Sequence, residues 1–301
     1  LINVLNSWRL VQSMASITAL LIVLLCGSVV AVGLMLARPV QCAVGLPPPD
    51  LNAQVVAFPS LSGATLHGWL APGRAGGGIV VLMHGVRANR LAMLQRAVVL
   101  HQHGFGVLLF DFQAHGESLG QHITFGHLEG LDAASAVAFA RQRVPGERIG
   151  VIGVSLGGAA ALLGPKPLNV DALVLESVFP DIHAALTDRL RARLGPLAGP
   201  ILAPLIAPPF EWLMPRILGV RLNDLRPIDR IADVRTPLLV ASGTADAYTT
   251  IAGAQALFAH APQPKQFWPV PGAAHVDLER HDAPAYWAHI LPFLTTQLQI
   301  T

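Results

Sequence analysis

The sequence predicts an α/β fold, a mostly parallel central sheet with helices on both faces, and three observations predict it. Strand patterns alternate with helix patterns from about residue 54 to the end. Several strand segments are continuous apolar runs, such as Ile79 to Met83 (IVVLM), as expected for strands buried on both faces. No internal repeat interrupts that rhythm, so a solenoid or propeller is not indicated.

In chain order, Gln54 to Phe58 and Thr65 to Ala71 read as strands around a Ser62-Gly63 turn, and Ile79 to Met83 as the first buried strand. Leu91 to His103 has helical spacing and stops at Gly104. Strands follow at Val107 to Phe112, Ile149 to Val154, Ala172 to Glu176, Leu238 to Ser242 and Gln266 to Val270. Helices fall between and after them, at Leu128 to Arg143, Leu156 to Leu163, Ile251 to His260 and Ala283 to Leu298. From Phe179 to about Pro227 no strand pattern occurs, and Leu194 to Val220 is apolar and rich in proline. The expectation for residues 179–227 is a helical insertion over the end of the sheet, either a lid above a pocket or a packed excursion without gating.

The N-terminus carries a different signal. No charged residue lies between Arg9 and Arg38, and Met14 to Ala37 is apolar all round. A bilayer core needs ~20 such residues, so a transmembrane helix at about 14–37 is expected. The run exceeds the ~7–15 residues of a signal-peptide core, and no A-x-A-like site follows it. Leu25 before Cys26 and Gln41 before Cys42 do not suit a lipoprotein signal. A buried soluble helix would show a polar face, which is missing. Residues 1–45 therefore read as an anchor region and 46–301 as the α/β domain, joined by the stiff Leu46-Pro47-Pro48-Pro49 spacer. The expected location is a membrane, with the bacterial inner membrane favoured. Arg9 and Arg38 flank the run evenly and leave its orientation open.

Composition narrows the partners. Charged residues are 13% of the chain and hydrophobic residues 52%, against a usual charged share of ~25%. Net charge is +2 with no basic run, so a nucleic-acid partner is not expected. Cys26 and Cys42 both precede the α/β region, which therefore has no disulfide of its own. No helix pattern carries two histidines four apart with a nearby Glu, so neither a metal nor a cofactor is expected.

The residues that carry chemistry begin at Gly153-Val154-Ser155-Leu156-Gly157, a G-x-S-x-G directly after a buried strand and directly before a helix. A serine on so sharp a turn needs small neighbours. The helix N-terminus behind it supplies free N–H groups and a positive dipole end. A serine hydroxyl needs a base, and His275 follows the last strand through Gly272-Ala273-Ala274. Asp246 follows the strand Leu238 to Ser242 and would hold the imidazole in the right tautomer. Glu176 also ends a strand and is the rival acid, and Asp277 is read as a local polar contact. His260, His281 and His289 fall at a helix end or in the closing helical region. His84-Gly85-Val86 follows the first buried strand. Backbone N–H groups of Val86 and Leu156 are the expected oxyanion donors, and His84 the expected structural histidine.

These motifs, with Asp111-Phe112-Gln113-Ala114-His115-Gly116-Glu117-Ser118, resemble the α/β-hydrolase superfamily over roughly Val55 to Leu298. The likeness is to the serine aminopeptidase and monoglyceride lipase-like group, with similarity to bacterial prolyl oligopeptidase and dienelactone hydrolase relatives. Members often have Arg-Gly where this chain has Gln113-Ala114, in a loop that is structural in the family. The resemblance implies a serine hydrolase with Ser155, Asp246 and His275 as its triad. The apolar insertion and the anchor favour a carboxylic ester, with a lipophilic acyl substrate. A peptidase, an acyl-thioesterase like the membrane-anchored ones of the superfamily, and transfer to an acceptor other than water would use the same residues. A non-catalytic, membrane-tethered binding protein is the alternative of another class.

Overall fold

The computed structural model describes residues 2–275 and 278–299. In chain order the elements are α1 (Ile2–Ala37), β1 (Val40–Gln41), β2 (Gln54–Pro59), β3 (Thr65–Ala71), β4 (Ile79–Met83), α2 (Leu94–Gln102), β5 (Gly106–Phe110) and β6 (His115–Gly116). Then come α3 (His127–Arg143), β7 (Ile149–Val154), α4 (Leu156–Leu163), β8 (Ala172–Glu176), α5 (Ile182–Leu218) and α6 (Pro227–Arg230). The chain closes with β9 (Leu238–Gly243), α7 (Ile251–His260), β10 (Lys265–Val270), α8 (Leu278–His281) and α9 (Ala283–Leu298).

Eight strands form one sheet in the order β10-β9-β8-β7-β4-β5-β3-β2. β3 runs antiparallel to both of its neighbours, and every other pairing is parallel. The strands expected from the sequence are all present, shifted by at most two residues at their ends. Helix α2 starts later than its apolar spacing suggests. A 3-10 turn at Arg90–Met93 comes first, because the Asn89 side chain accepts a hydrogen bond from the Leu91 amide and winds the chain tightly there.

The continuous apolar runs fill two cores. In β4, Val81 and Met83 pack with α3 and α4 residues such as Ala136 and Leu162. Val80 and Leu82 point the other way, toward α2 and α9 residues such as Leu100 and Ile290. Period-two alternation with both faces covered explains why such a strand shows no polar position. Burying one such side chain contributes roughly 1.5–3 kcal/mol, so the central strands fix the register.

β4 lies between β5 and β7, so the chain leaves it toward one edge and later returns on its other side. That reversal opens a crevice at the carboxyl ends of β4 and β7. The loops after β4, β7, β9 and β10 all gather at this edge.

Helix α5 is two arms. Gly195 breaks it with φ 80° and ψ 177°. A Cβ on Gly199 would sit 2.6 Å from the Arg191 carbonyl oxygen, so the second arm folds back closely on the first. His183 on the first arm pairs with Glu211 on the second. The C-terminal end of α1 meets this hairpin: a Cβ on Gly33 would lie 2.6 Å from Met214 Sδ and 3.4 Å from the Phe210 ring. Just beyond α1, β1 pairs in parallel with β6 and holds the chain to the Asp111 loop.

Candidate active site

The site is built from strand ends. β7 ends at Val154, and Ser155 then takes φ 50° and ψ −109° before α4 begins. A non-glycine residue there is strained by roughly 1–3 kcal/mol. The flanking glycines make the turn possible. A Cβ on Gly153 would lie 2.6 Å from the Gly158 amide nitrogen, and one on Gly157 only 2.3 Å from the Met83 carbonyl oxygen. The Ser155 amide donates to the Glu176 carbonyl (2.8 Å), which ties the turn to the end of β8.

Three residues far apart in sequence meet here. Ser155 Oγ lies 3.3 Å from His275 Nε2. On the other side of the ring, His275 Nδ1 lies 2.8 Å from Asp246 Oδ2. An Nδ1–H donated to the carboxylate leaves Nε2 free to accept from the serine, the tautomer a base requires. Burial raises the Asp246 pKa, but the hydrogen bond and charge of His275 and two bonds from Thr249 outweigh it and hold the carboxyl below its ordinary value.

Thr249 was not legible as a site residue. Its hydroxyl donates to Asp246 Oδ2 (2.5 Å) and lies 3.3 Å from His275 Nδ1. The Thr249 and Tyr248 amides both donate to Asp246 Oδ1 (2.9 and 2.8 Å). The available signal was an Asp-x-x-Thr spacing in a loop before a helix, which reads equally well as a turn. Tyr248 meets the His275 ring edge to face at 5.4 Å, and the Arg189 guanidinium sits over the Tyr248 ring at 5.3 Å. Burial lowers the Arg189 pKa.

Val86 and Leu156 both border the space above Ser155. Among the described residues neither amide donates a hydrogen bond, whereas those of Arg87, Ala88 and Ser155 are engaged. Two free N–H groups beside the Ser155 hydroxyl form the donor arrangement that an oxyanion needs. His84 is buried and anchors the β4 end. Its Nε2 accepts from the Phe112 amide (3.1 Å), so Nδ1 carries the proton and donates to the Gly85 carbonyl (2.8 Å). Burial, then the nearby His115, push the His84 pKa down to about 3.

The rival acid has other work. The Glu176 carboxylate is buried against Arg96 and accepts from the Tyr286 hydroxyl (2.5 Å). Among the rival histidines, His281 bonds the Pro271 carbonyl and His289 stacks on Trp268. Asp277 lies outside the described residues. Asp111 organises its loop, taking the Arg90 amide and guanidinium and the Glu117 amide.

The space above Ser155 is an apolar pocket. Its walls include Phe179, Ile182 and Phe210, with Met214 and Leu218 from the second arm of α5 and Leu36 from α1. The participation of α1 was not expected.

Comparison with known proteins agrees with this architecture. Residues 76–217 match the family model described as serine aminopeptidase, S33. An uncharacterized protein of Mycobacterium tuberculosis is 31% identical over 261 residues, covering 86% of this chain and 84% of that protein. A thiohydrolase of Aspergillus aculeatus is 34% identical over 141 residues, covering 45% of this chain and 44% of its own. Among solved structures, the Pyrococcus furiosus esterase Pf2001 superposes with a TM-score of 0.69 at 22% identity, over 87% of this chain and 98% of that one. The chain belongs to the α/β-hydrolase superfamily and is a hydrolase of that kind.

Proposed function

We propose that the protein is a serine hydrolase that cleaves carboxylic esters of lipophilic acyl groups, and that α1 anchors it in a membrane. The observation that carries the chemistry is the Ser155–His275–Asp246 relay on the floor of an apolar pocket. His275 Nε2 takes the Ser155 proton as Oγ attacks the ester carbonyl. The tetrahedral oxyanion is held by the Val86 and Leu156 amides. Collapse expels the alcohol, which receives the proton from His275, and leaves an acyl-serine. Water, deprotonated by the same imidazole, then attacks the acyl-serine. The acid departs and Ser155 regains its proton. Asp246 stabilises the imidazolium in both halves.

Apolar pocket walls support a lipophilic acyl group over a peptide. The anchor reading is supported by the uncharged stretch between Arg9 and Arg38 and by exposed Met14, Ile17, Leu20 and Val23 along α1. A thioester is the second reading, favoured by the resemblance to a thiohydrolase. It needs the same residues and a thiolate leaving group.

The test is fluorophosphonate labelling of the full-length protein, followed by hydrolysis of p-nitrophenyl esters and acyl-thioesters of graded chain length. The expected result is labelling abolished by Ser155→Ala and a rate that rises with chain length. An unlabelled wild-type protein would favour a binding module, and turnover confined to aminoacyl anilides would favour a peptidase.

A further inference from the structure

We propose that the second arm of α5, from Pro196 to Leu218, lies in the surface layer of a lipid bilayer beside α1, so that the pocket above Ser155 takes its substrate directly from the membrane. This rests on the reading of α1 as a membrane anchor.

The first argument is exposure. From Pro196 to Phe210 the arm has no charged residue, yet Leu197 is 87% exposed, Ile201 67% and Leu205 65%. Its small residues Gly199, Ala203 and Ala207 are buried at four-residue spacing, so the large apolar side chains take the outside. A soluble surface rarely presents such a stripe without a partner.

Continuity is the second. The described part of α1 also exposes Val32, Leu34 and Met35 near its end, where Gly33 touches Phe210 and Met214 of the arm. If α1 spans the bilayer, Arg38 marks the level of the lipid headgroups. Leu36, two residues inside that level, is a wall of the pocket. The arm and the pocket therefore share the depth of the membrane surface.

Chemistry sets the arm at the surface and not across the core. Pro196, Pro200, Pro204 and Pro208 recur every fourth residue and are all exposed. Each lacks an N–H, so the carbonyls of Pro196, Pro200 and Pro204 lose the usual helical donor four residues on. Such groups are costly in hydrocarbon but are hydrated among headgroups. The flanks suit that layer as well. Arg216 stacks on exposed Trp212, and exposed Arg191 and Arg193 precede the arm. Tryptophan and arginine are favoured where one side is apolar and the other wet, and the cations complement anionic lipid.

The experiment uses the full chain, with Cys26→Ser and Cys42→Ser, in phosphatidylcholine vesicles containing phosphatidylglycerol. A polarity-sensitive fluorophore is placed on single cysteines at Leu197, Ile201 or Leu205, or on exposed Gln142 as control. Lipids brominated near the headgroup end or the methyl end of the acyl chain serve as quenchers. Shallow bromine should quench the three arm labels most strongly and leave the Gln142 label unaffected. Arm labels that behave like Gln142, or that quench one another between copies without responding to bromine, would overturn the proposal. Protein that fails to float with vesicles at alkaline pH would refute the anchor. The quenching readout does not need catalysis, so a failed esterase assay is told apart. The triple variant Leu197→Asn, Ile201→Asn, Leu205→Asn should hydrolyse a water-soluble short ester within about twofold of wild type. It should lose about tenfold or more on a long-chain ester embedded in vesicles, a difference of about 1.4 kcal/mol. Equal losses on both esters would also count against direct loading.

Discussion

Arg96 Nη2 lies 2.9 Å from Glu176 Oε2, and both side chains are buried. The pair sits under the Ser155 turn, because the backbone carbonyl of the same Glu176 accepts the Ser155 amide. The ion pair thus holds the residue on which the turn hangs.

Breaking that pair should be costly. Arg96→Met would leave a buried carboxylate with only the Tyr286 hydroxyl, and removing one partner of such a pair typically costs about 3–5 kcal/mol. Thermal denaturation should show a fall on the order of 10 °C in Tm. Glu176→Gln, which can keep the Tyr286 hydrogen bond, should still react with fluorophosphonate, whereas Asp246→Asn should lose most of that reactivity. The reverse order would make Glu176 the catalytic acid.

Thr249 should matter for rate more than for stability. Thr249→Val removes the hydroxyl bonded to Asp246 Oδ2, and with it one of the bonds holding that carboxyl below its ordinary pKa. The expected loss is about tenfold or somewhat more in kcat with little change in KM, in line with the low end of the roughly 1.5–3 kcal/mol for a hydrogen bond to a charged group. Thr249→Ser should restore most of it. A valine variant at wild-type kcat would remove Thr249 from the relay.

Stability should fall on the acid side through His84. Its folded pKa is about 3 against 6.5 for the free side chain, so the unfolded chain binds the extra proton. The contribution is therefore present above pH 6.5 and is lost progressively as pH falls toward 3. His115, also lowered chiefly by burial, acts in the same direction. Asp132 opposes them. Burial first, then the charge of Glu129, raise it from 3.8 to about 6 against its hydrogen bonds, so it favours the folded state as pH falls through that range. In denaturant titrations from pH 7 to 4, His84→Gln should flatten the loss and Asp132→Asn should steepen it.

Two strained residues separate function from architecture. Ser155 and Ala114 both have positive φ, 50° and 61°. Ala114→Gly should stabilise by up to about 1 kcal/mol without loss of activity, since glycine adopts that conformation freely. Ser155→Gly should stabilise relative to Ser155→Ala while abolishing turnover. Equal denaturation midpoints for the two Ser155 variants would show that the turn stores no strain.

Much of the fold was readable because its signals are local. Ile79 to Met83 and Ile149 to Val154 announce two-sided burial by composition alone, and Gly153-Val154-Ser155-Leu156-Gly157 announces a sharp strand-to-helix turn by the size of its residues. Strand ends then placed Asp246 and His275 on one edge, since parallel strands deliver their following loops to the same side. Thr249 was less legible because a hydroxyl in a loop has many uses, and only its distance from Asp246 selects one.

The sequence by itself determined the strand-helix alternation, the buried faces of the strands and the loops that carry Ser155, Asp246 and His275. These follow from residue size, periodicity and backbone constraint within a few residues of chain. Tertiary structure alone decided that Glu176 pairs with Arg96, that Gly195 folds α5 into a hairpin, and that Leu36 of α1 closes the pocket opened by Phe210 and Met214. Those relationships join segments many residues apart through shape and charge, and a linear pattern of apolar residues does not encode which distant surface each will meet.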